Sequence, residues 1–229
     1  MCGRFIISTP AASIVKWFGT TNPLPNLAPR YNVAPTDNVP AVLIDPATKT
    51  RHLVPLRWGL VPFWAKDIKI GHSLINAKAE TVAEKPAFRD AFQLRRCLIP
   101  ADGFYEWKRL DAKTRQPYAI AMKDRSMFGF AGLWERWTDR ASGETVRSCT
   151  IITTAPNEVC AAIHDRMPVI VDRADYENWL GEAPVDAGRL LGMLKSFPAQ
   201  KMMAFPVDPR VGNVKYDEPS LTEPVRPTV

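Results

Sequence analysis

The sequence predicts an α+β protein: a single domain whose compact mixed or antiparallel sheet closes toward a barrel, with helices at the periphery. Three observations carry this expectation. Short apolar or alternating runs, bounded by Gly, Pro or charge, dominate the middle of the chain. Helical periodicity occurs in a few stretches that do not alternate with the strands, as a doubly wound parallel sheet would require. The 21 prolines are scattered through 229 residues, nearly twice the usual share of about 5%, so they punctuate turns and edges and do not form a linker.

In chain order, strands are expected at Phe5–Ile7, Val39–Ile44, Leu53–Arg57, Arg96–Ile99, Tyr118–Met122, Phe128–Leu133 and Cys149–Thr153. Helices are expected at Ala11–Trp17, around Ala79–Ala91, and at Asn157–Ala162, Ala174–Leu180 and Val185–Lys195. The domain is expected to run from residue 2 to 216, with a loose tail over residues 217–229.

A chain of 229 residues, 46% of them hydrophobic, is long enough to bury a sizeable core. No apolar run reaches the eighteen or so residues that a membrane helix needs. The first residues lack the basic segment and apolar stretch of a secretory signal, which leads to an expected cytoplasmic location. The net charge is +6 and the pI about 9.2, a moderate excess that favours a polyanionic partner. Seven tryptophans accompany the basic residues; most are expected in the core, though aromatic faces near cations also suit single-stranded nucleic acid. No Gly-x-Gly-x-x-Gly or Walker loop is present, and no cofactor is expected. The four cysteines, Cys2, Cys97, Cys149 and Cys160, form no Cys-x-x-Cys pair. Cys160 and His164 have a ligand-like spacing but no second half to complete a zinc site, so no metal is expected. Cys97 and Cys149 lie in apolar runs and read as core packing.

The most informative placement is Cys2. Initiator methionine is normally trimmed when the next side chain is small. Removal of Met1 would leave Cys2 with an α-amine and a thiol on one carbon frame. A free α-amine titrates near 7.7–8.0, so roughly a tenth is neutral at pH 7 and able to attack a carbonyl. Amine and thiol together close a five-membered thiazolidine on an aldehyde.

Three further segments place polar residues inside apolar runs. Asn76 follows Leu74-Ile75 and precedes an expected helix start, where a helix cap is the plain alternative. Glu106 sits between Tyr105 and Trp107 in a strand-like run; facing inward, its pKa would rise into a range useful for proton transfer, and facing outward it would pair with Lys108 or Arg109. His164, one of three histidines, lies beside Asp165 and Arg166, and a turn histidine bonded to backbone is its plain alternative.

Seven ordered motifs carry a resemblance. They are Cys2-Gly3-Arg4-Phe5, Tyr31-Asn32-Val33-Ala34-Pro35, Arg57-Trp58-Gly59-Leu60-Val61-Pro62, Ile75-Asn76-Ala77-Lys78-Ala79-Glu80-Thr81, Arg96 through Trp107, Ile163-His164-Asp165-Arg166-Met167-Pro168, and Val211-Gly212-Asn213-Val214-Lys215. In these the chain resembles the SOS-response-associated peptidase (SRAP) family from Cys2 to about Lys215. The resemblance implies a protein that senses abasic sites in single-stranded DNA and crosslinks to them through Cys2 as a thiazolidine, shielding the lesion. It implies Cys2 as nucleophile and Asn76, Glu106 and His164 as the other active-site positions, with Arg4 near a DNA phosphate. The family often has arginine where this chain has Lys78, which keeps the charge and loses the planar fork.

With that resemblance, Arg4, Lys78 and Arg166 become the candidate phosphate contacts, Trp64 a candidate wedge or stacking residue with a core position as its alternative, and Thr153 (with Thr154) a hydroxyl at a strand end able to donate to a phosphate or to the site. A monomer is expected, bacterial in type and nucleoid-associated when crosslinked. Two other classes compete. In one, Cys2 is the nucleophile of a thiol autopeptidase or peptidase with His164 and Glu106. In the other, the chain is a DNA-binding module without covalent chemistry.

Overall fold

The structure is a computed structural model and describes residues 2–23 and 26–227. Its strands are β1 (Phe5–Ile7), β2 (Arg30–Val33), β3 (Asn38–Ile44), β4 (Arg51–Trp58), β5 (Asn76–Lys78), β6 (Arg96–Ala101), β7 (Gly103–Arg109), β8 (Arg115–Met122), β9 (Phe128–Thr138), β10 (Thr145–Thr154), β11 (Met167–Pro168), β12 (Ile170–Val171) and β13 (Met202–Pro206). The helices are α1 (Ala11–Phe18), α2 (Arg89–Leu94), α3 (Glu158–Ala161), α4 (Tyr176–Leu180) and α5 (Ala187–Gly192), with short 3-10 turns between them.

β10 makes the barrel. It pairs in parallel with β4 through Ser148–Arg57 and antiparallel with β9 from Thr145–Thr138 to Ile151–Gly132. The order β10-β4-β3-β6-β9 therefore returns to β10 and closes a five-stranded barrel. Closure removes the open edges such a sheet would otherwise expose. A second, antiparallel sheet runs β13-β8-β7-β1-β2. Aromatic rings join the two: Phe5 of β1 meets Trp58 and Phe130 edge-on at 5.3 and 5.8 Å, and Phe104 of β7 meets Phe130 at 6.0 Å. Such edge-to-face pairs add about 0.5–1.5 kcal/mol each beyond burial.

The strand alternation of β7 divides its side chains between two cores. Phe104 joins the main cluster, while Tyr105 joins a smaller one with Phe205, Val211 and Leu221. Glu106, two residues after Phe104, falls on the main-cluster side. The α1 helix buries Ile14 and Phe18, one turn apart, and ends on Gly19 at φ +68°.

Several elements differ from the sequence expectation. The helix expected around Ala79–Ala91 is a 3-10 turn at Ala79–Thr81 followed, after Pro86, by α2. Proline lacks the donor that a continuous helix would need at that position. Asn76 opens the three-residue strand β5 and caps no helix. The strands β2 and β13 were not among those expected.

Residues 217–227 are docked and not loose. Asp217 accepts backbone N–H groups of Tyr31 and Asn32 at 2.5 and 3.0 Å and pairs with Arg30. Leu221 is wholly buried, and the Tyr105 hydroxyl donates to Tyr31 O at 2.8 Å beside it. Among the described residues no helix is long and apolar enough to cross a membrane.

Candidate functional site

The first wall of the site is the start of the chain. Phe5 pairs with Phe104, and the Tyr105 N–H donates to Arg4 O at 3.0 Å, extending the β1–β7 ladder past its last strand residue. Continued at the same antiparallel register, Gly3 falls opposite Glu106 and Cys2 opposite Trp107. Cys2 is fully buried, its thiol 3.9 Å from Arg4 O. Glu106 is 3% exposed, and burial pushes its carboxyl from 4.5 up to about 7. Burial first, and the Glu106 charge second, push the Cys2 thiol well up; the same two causes push Cys160 to about 12. Two protonated thiols thus lie within electrostatic reach of one titrating carboxyl.

The second wall is β5 against β10. Gly59 and Gly71 let the chain reach it. Gly59 adopts φ +127°, and a side-chain carbon there would stand 2.7 Å from Gly71 O; at Gly71 it would stand 2.6 Å from Gly59 O. This close crossing lays β5 in parallel register on β10, with Asn76 opposite Ile151 and Lys78 opposite Thr153. The Asn76 amide donates to Ile75 O and Ile151 O at 3.1 and 3.4 Å. Its carbonyl oxygen is buried without a partner among the described residues, an acceptor available to a substrate amine or hydroxyl.

The third wall follows β10. Asn157 caps α3 by accepting the Cys160 N–H at 3.0 Å, and the Cys160 carbonyl accepts the N–H groups of Ile163 and His164, both at 2.9 Å. That turn fixes His164. Its Nδ1 accepts the Arg166 N–H at 3.1 Å, and its Nε2 stands 3.9 Å from Glu106 Oε2. Burial pushes His164 below its usual range. The Asp165 carboxylate, 2.9 Å from Nδ1, pulls the other way; it is 88% exposed, water screens it, and burial prevails. Burial thus disfavours the charged imidazolium, and the Nε2 edge of the ring faces Glu106.

Three separate segments thus supply Cys2, Glu106 and His164, with Glu106 3.9 Å from His164 and within electrostatic reach of Cys2, while Asn76 stands on β5 opposite Ile151 of β10. Arg4 is half-buried and donates to Asn32 Oδ1 and Val211 O at 3.3 and 2.9 Å, tying the chain start to the C-terminal segment. Arg166 is held by both oxygens of Glu80 at 2.6 and 2.9 Å and by Thr153 O at 2.6 Å. Thr153 is 1% exposed, its hydroxyl donating to Ala77 O at 3.4 Å. Lys78 is exposed, and Trp64 is 45% exposed on the 61–67 loop, outside the core. Met1, and with it the expected release of the Cys2 amine, lies outside the described residues. Among the described residues no group of three or more His, Cys, Asp or Glu is placed to hold a metal. Two neighbours were missed from sequence: Cys160, read there only as half of a rejected zinc pair, and Glu80, which no local signal connects to Arg166.

Fold and site together define a class: a small closed barrel, covered by a second sheet, with a buried cysteine near a glutamate and a histidine 3.9 Å apart. The family described as SOS response associated peptidase (SRAP) matches residues 1–214, and the chain belongs to it. The chain is 44% identical over 225 residues to a protein of Bacillus subtilis named abasic site processing protein YoqW, covering 97% of this chain and 99% of that one. It is 32% identical over 222 residues to abasic site processing protein HMCES of Xenopus tropicalis, covering 83% of this chain and 64% of that longer relative. The fold matches the crystal structure of a protein from Bacteroides thetaiotaomicron with a TM-score of 0.88 at 26% identity, covering 98% of this chain and 100% of that one. It also matches the crystal structure of a phage-related protein of Bordetella bronchiseptica with a TM-score of 0.69 at 27% identity, covering 90% of this chain and 94% of that one.

Proposed function

We propose that the protein processes abasic sites by capturing the open-chain aldehyde of the sugar, in single-stranded DNA, on the aminothiol of Cys2. The observation that carries this reading is the Glu106–His164 pair, 3.9 Å apart beside a buried Cys2. The lesion is the one for which the relatives in Bacillus subtilis and Xenopus tropicalis are named.

Once Met1 has been removed, the α-amine of Cys2 adds to the aldehyde carbon. The carbinolamine loses water to give an imine, which needs an acid; a carboxyl that titrates near 7 is half protonated at neutral pH and can supply it. The Cys2 sulfur then adds to the imine carbon, the thiol proton passes to nitrogen, and a thiazolidine closes. The net change is loss of one water. Because burial and Glu106 hold the thiol protonated, the amine attacks first and the sulfur second. His164 is placed to exchange a proton with the sugar ring as it opens, and Asn76 to orient the amine or a sugar oxygen through its open acceptor.

Lys78 and Trp64 are the exposed candidates for a phosphate contact and a stacking contact. Arg166 and Thr153, held as they are by Glu80 and β5, serve first as struts for the His164 turn. Arg4 serves first as the anchor of the chain start, with its positive charge adding to the field over the site.

The test is denaturing gel electrophoresis of the protein mixed with abasic single-stranded DNA. The parent should give a shifted band that survives heat and detergent, and Cys2→Ala should give none. A peptidase that uses the same thiol would release Met1 or peptides without ever retaining the oligonucleotide. A DNA-binding module without covalent chemistry would bind equally well as Cys2→Ala and never shift.

A further inference from the structure

A cationic groove lies on the outside of the barrel, and none of the site residues lines it. Its volume is about 830 Å³, and its lining includes Arg57, Arg136, Arg147, Trp134, Thr36 and Ile68. Arg136 on β9 and Arg147 on β10 are direct cross-strand partners. Like charges in that position repel, and a sheet selected for stability alone would avoid them. Among the described residues none of the three arginines makes an ion pair. The nearest acid in sequence, Glu135, is taken by Arg95 at 2.8 Å, and the one acid in the lining, Glu144, pairs with none of them.

Arg57 is aimed by an unusual backbone. Its Nη1 donates to Thr36 O at 2.7 Å, and its Nε is buried without a partner among the described residues. Thr36 sits at φ +78°, a left-handed conformation that a β-branched residue rarely adopts. It is locked there by its own N–H on Trp58 O at 2.8 Å. Such strain persists where the surroundings over-determine it. The groove shares Ile68 and Val146 with the small cluster under the 61–67 loop, where Trp137 donates to Ala65 O at 2.7 Å. Trp64 is the next residue and is exposed.

We infer that this groove binds the sugar–phosphate backbone of the DNA strand flanking the lesion, beyond the nucleotides held at Cys2. Three guanidiniums without an ion pair supply the positive charge that a phosphate backbone needs, and the half-buried Trp134 lines the same groove as a face for a base. The inference rests on the reading of DNA as the substrate.

The test compares parent and Arg136→Ala/Arg147→Ala on abasic strands of about 5 and about 25 nucleotides, one near the lower end of a typical single-domain footprint and one well beyond it. Noncovalent affinity is read on the Cys2→Ala background and crosslink yield on the Cys2 background. On the long strand the double variant should bind about tenfold more weakly, and its log–log salt slope should shrink by about 1.4, the loss of two phosphate contacts. On the short strand its affinity and crosslink yield should equal the parent's, which also shows that it is folded. Equal affinity and equal salt slope on the long strand would overturn the groove, as would equal weakening on both lengths. If no protein crosslinks, the Cys2 chemistry fails, and the length-dependent affinity still decides the groove.

Discussion

Replacing Glu106 with Gln should make the protein more stable at alkaline pH while slowing its chemistry. The carboxyl titrates at about 7 in the fold against 4.5 in the unfolded chain, because burial penalises the charged form. Below 4.5 the group is neutral in both states and costs nothing. As pH rises from there, the unfolded chain releases its proton first and gains an advantage, which saturates once pH passes the folded value near 7. The gap corresponds to about 3 kcal/mol at about 1.4 kcal/mol per pH unit. Gln has the same shape and no charge, so it matches the protonated acid. Urea unfolding of parent and Glu106→Gln should give a similar difference at about pH 4.5 and a difference larger by up to about 3 kcal/mol, in favour of the variant, at about pH 8.5. Taking the difference between the two proteins cancels the titrating groups that do not feel the Glu106 charge; Cys2, Cys160 and His164 do feel it. In parallel, the crosslink rate of the parent should fall as pH rises through about 7, and the variant should lose that limb. A stability difference that does not change with pH would mean that the carboxyl is not held in a low-dielectric site, and the proposed acid would be lost with it.

Other substitutions test separate parts of the structure. Leu221→Ala should cost about 2–4 kcal/mol in chemical denaturation, as for a buried leucine; a change below about 0.5 kcal/mol, the scale of a surface substitution, would return residues 217–227 to a loose tail. Gly59→Ala should lower stability by more than the ~1 kcal/mol of an ordinary glycine replacement, because both the positive φ and Gly71 O stand in the way; a neutral effect in thermal unfolding would refute the close crossing. Glu80→Gln should loosen the Arg166 strut and slow crosslinking with little effect on DNA affinity. A large loss of affinity with an unchanged rate would instead make Arg166 a phosphate contact.

Much of the barrel was readable because strand character is local. Cys97 and Cys149 lie in apolar runs and prove fully buried within β6 and β10. Glu106 stood out because a carboxylate inside Phe-Tyr-x-Trp has few ways to satisfy itself, and the structure buries it. Trp64 follows Pro62 and proves to be in the exposed loop. The misses are non-local. Nothing near Leu221 tells that it fills a pocket beside Tyr105 and Val211, because those neighbours come from elements more than a hundred and about ten residues away in the chain. The stretch around Ala79–Ala91 has helical spacing, yet Pro86 splits it. Met202–Pro206 becomes a strand only because β8 offers an edge for it to pair with. For the site, residue types were legible and partnerships were not. Arg166 reads as a free cation until Glu80 is seen to hold both its terminal nitrogens, and Cys160 reads only as half of an incomplete zinc pair until α3 places it near Glu106.

The most direct measurement is the intact mass of the protein after incubation with an abasic single-stranded oligonucleotide, under denaturing conditions and without a reductant. The starting protein should lack the mass of Met1, and the product should gain the oligonucleotide less one water, with the adduct mapping to Cys2. A protein that keeps its initiator methionine, or an adduct that forms equally on Cys2→Ala, would contradict the aminothiol chemistry at its root.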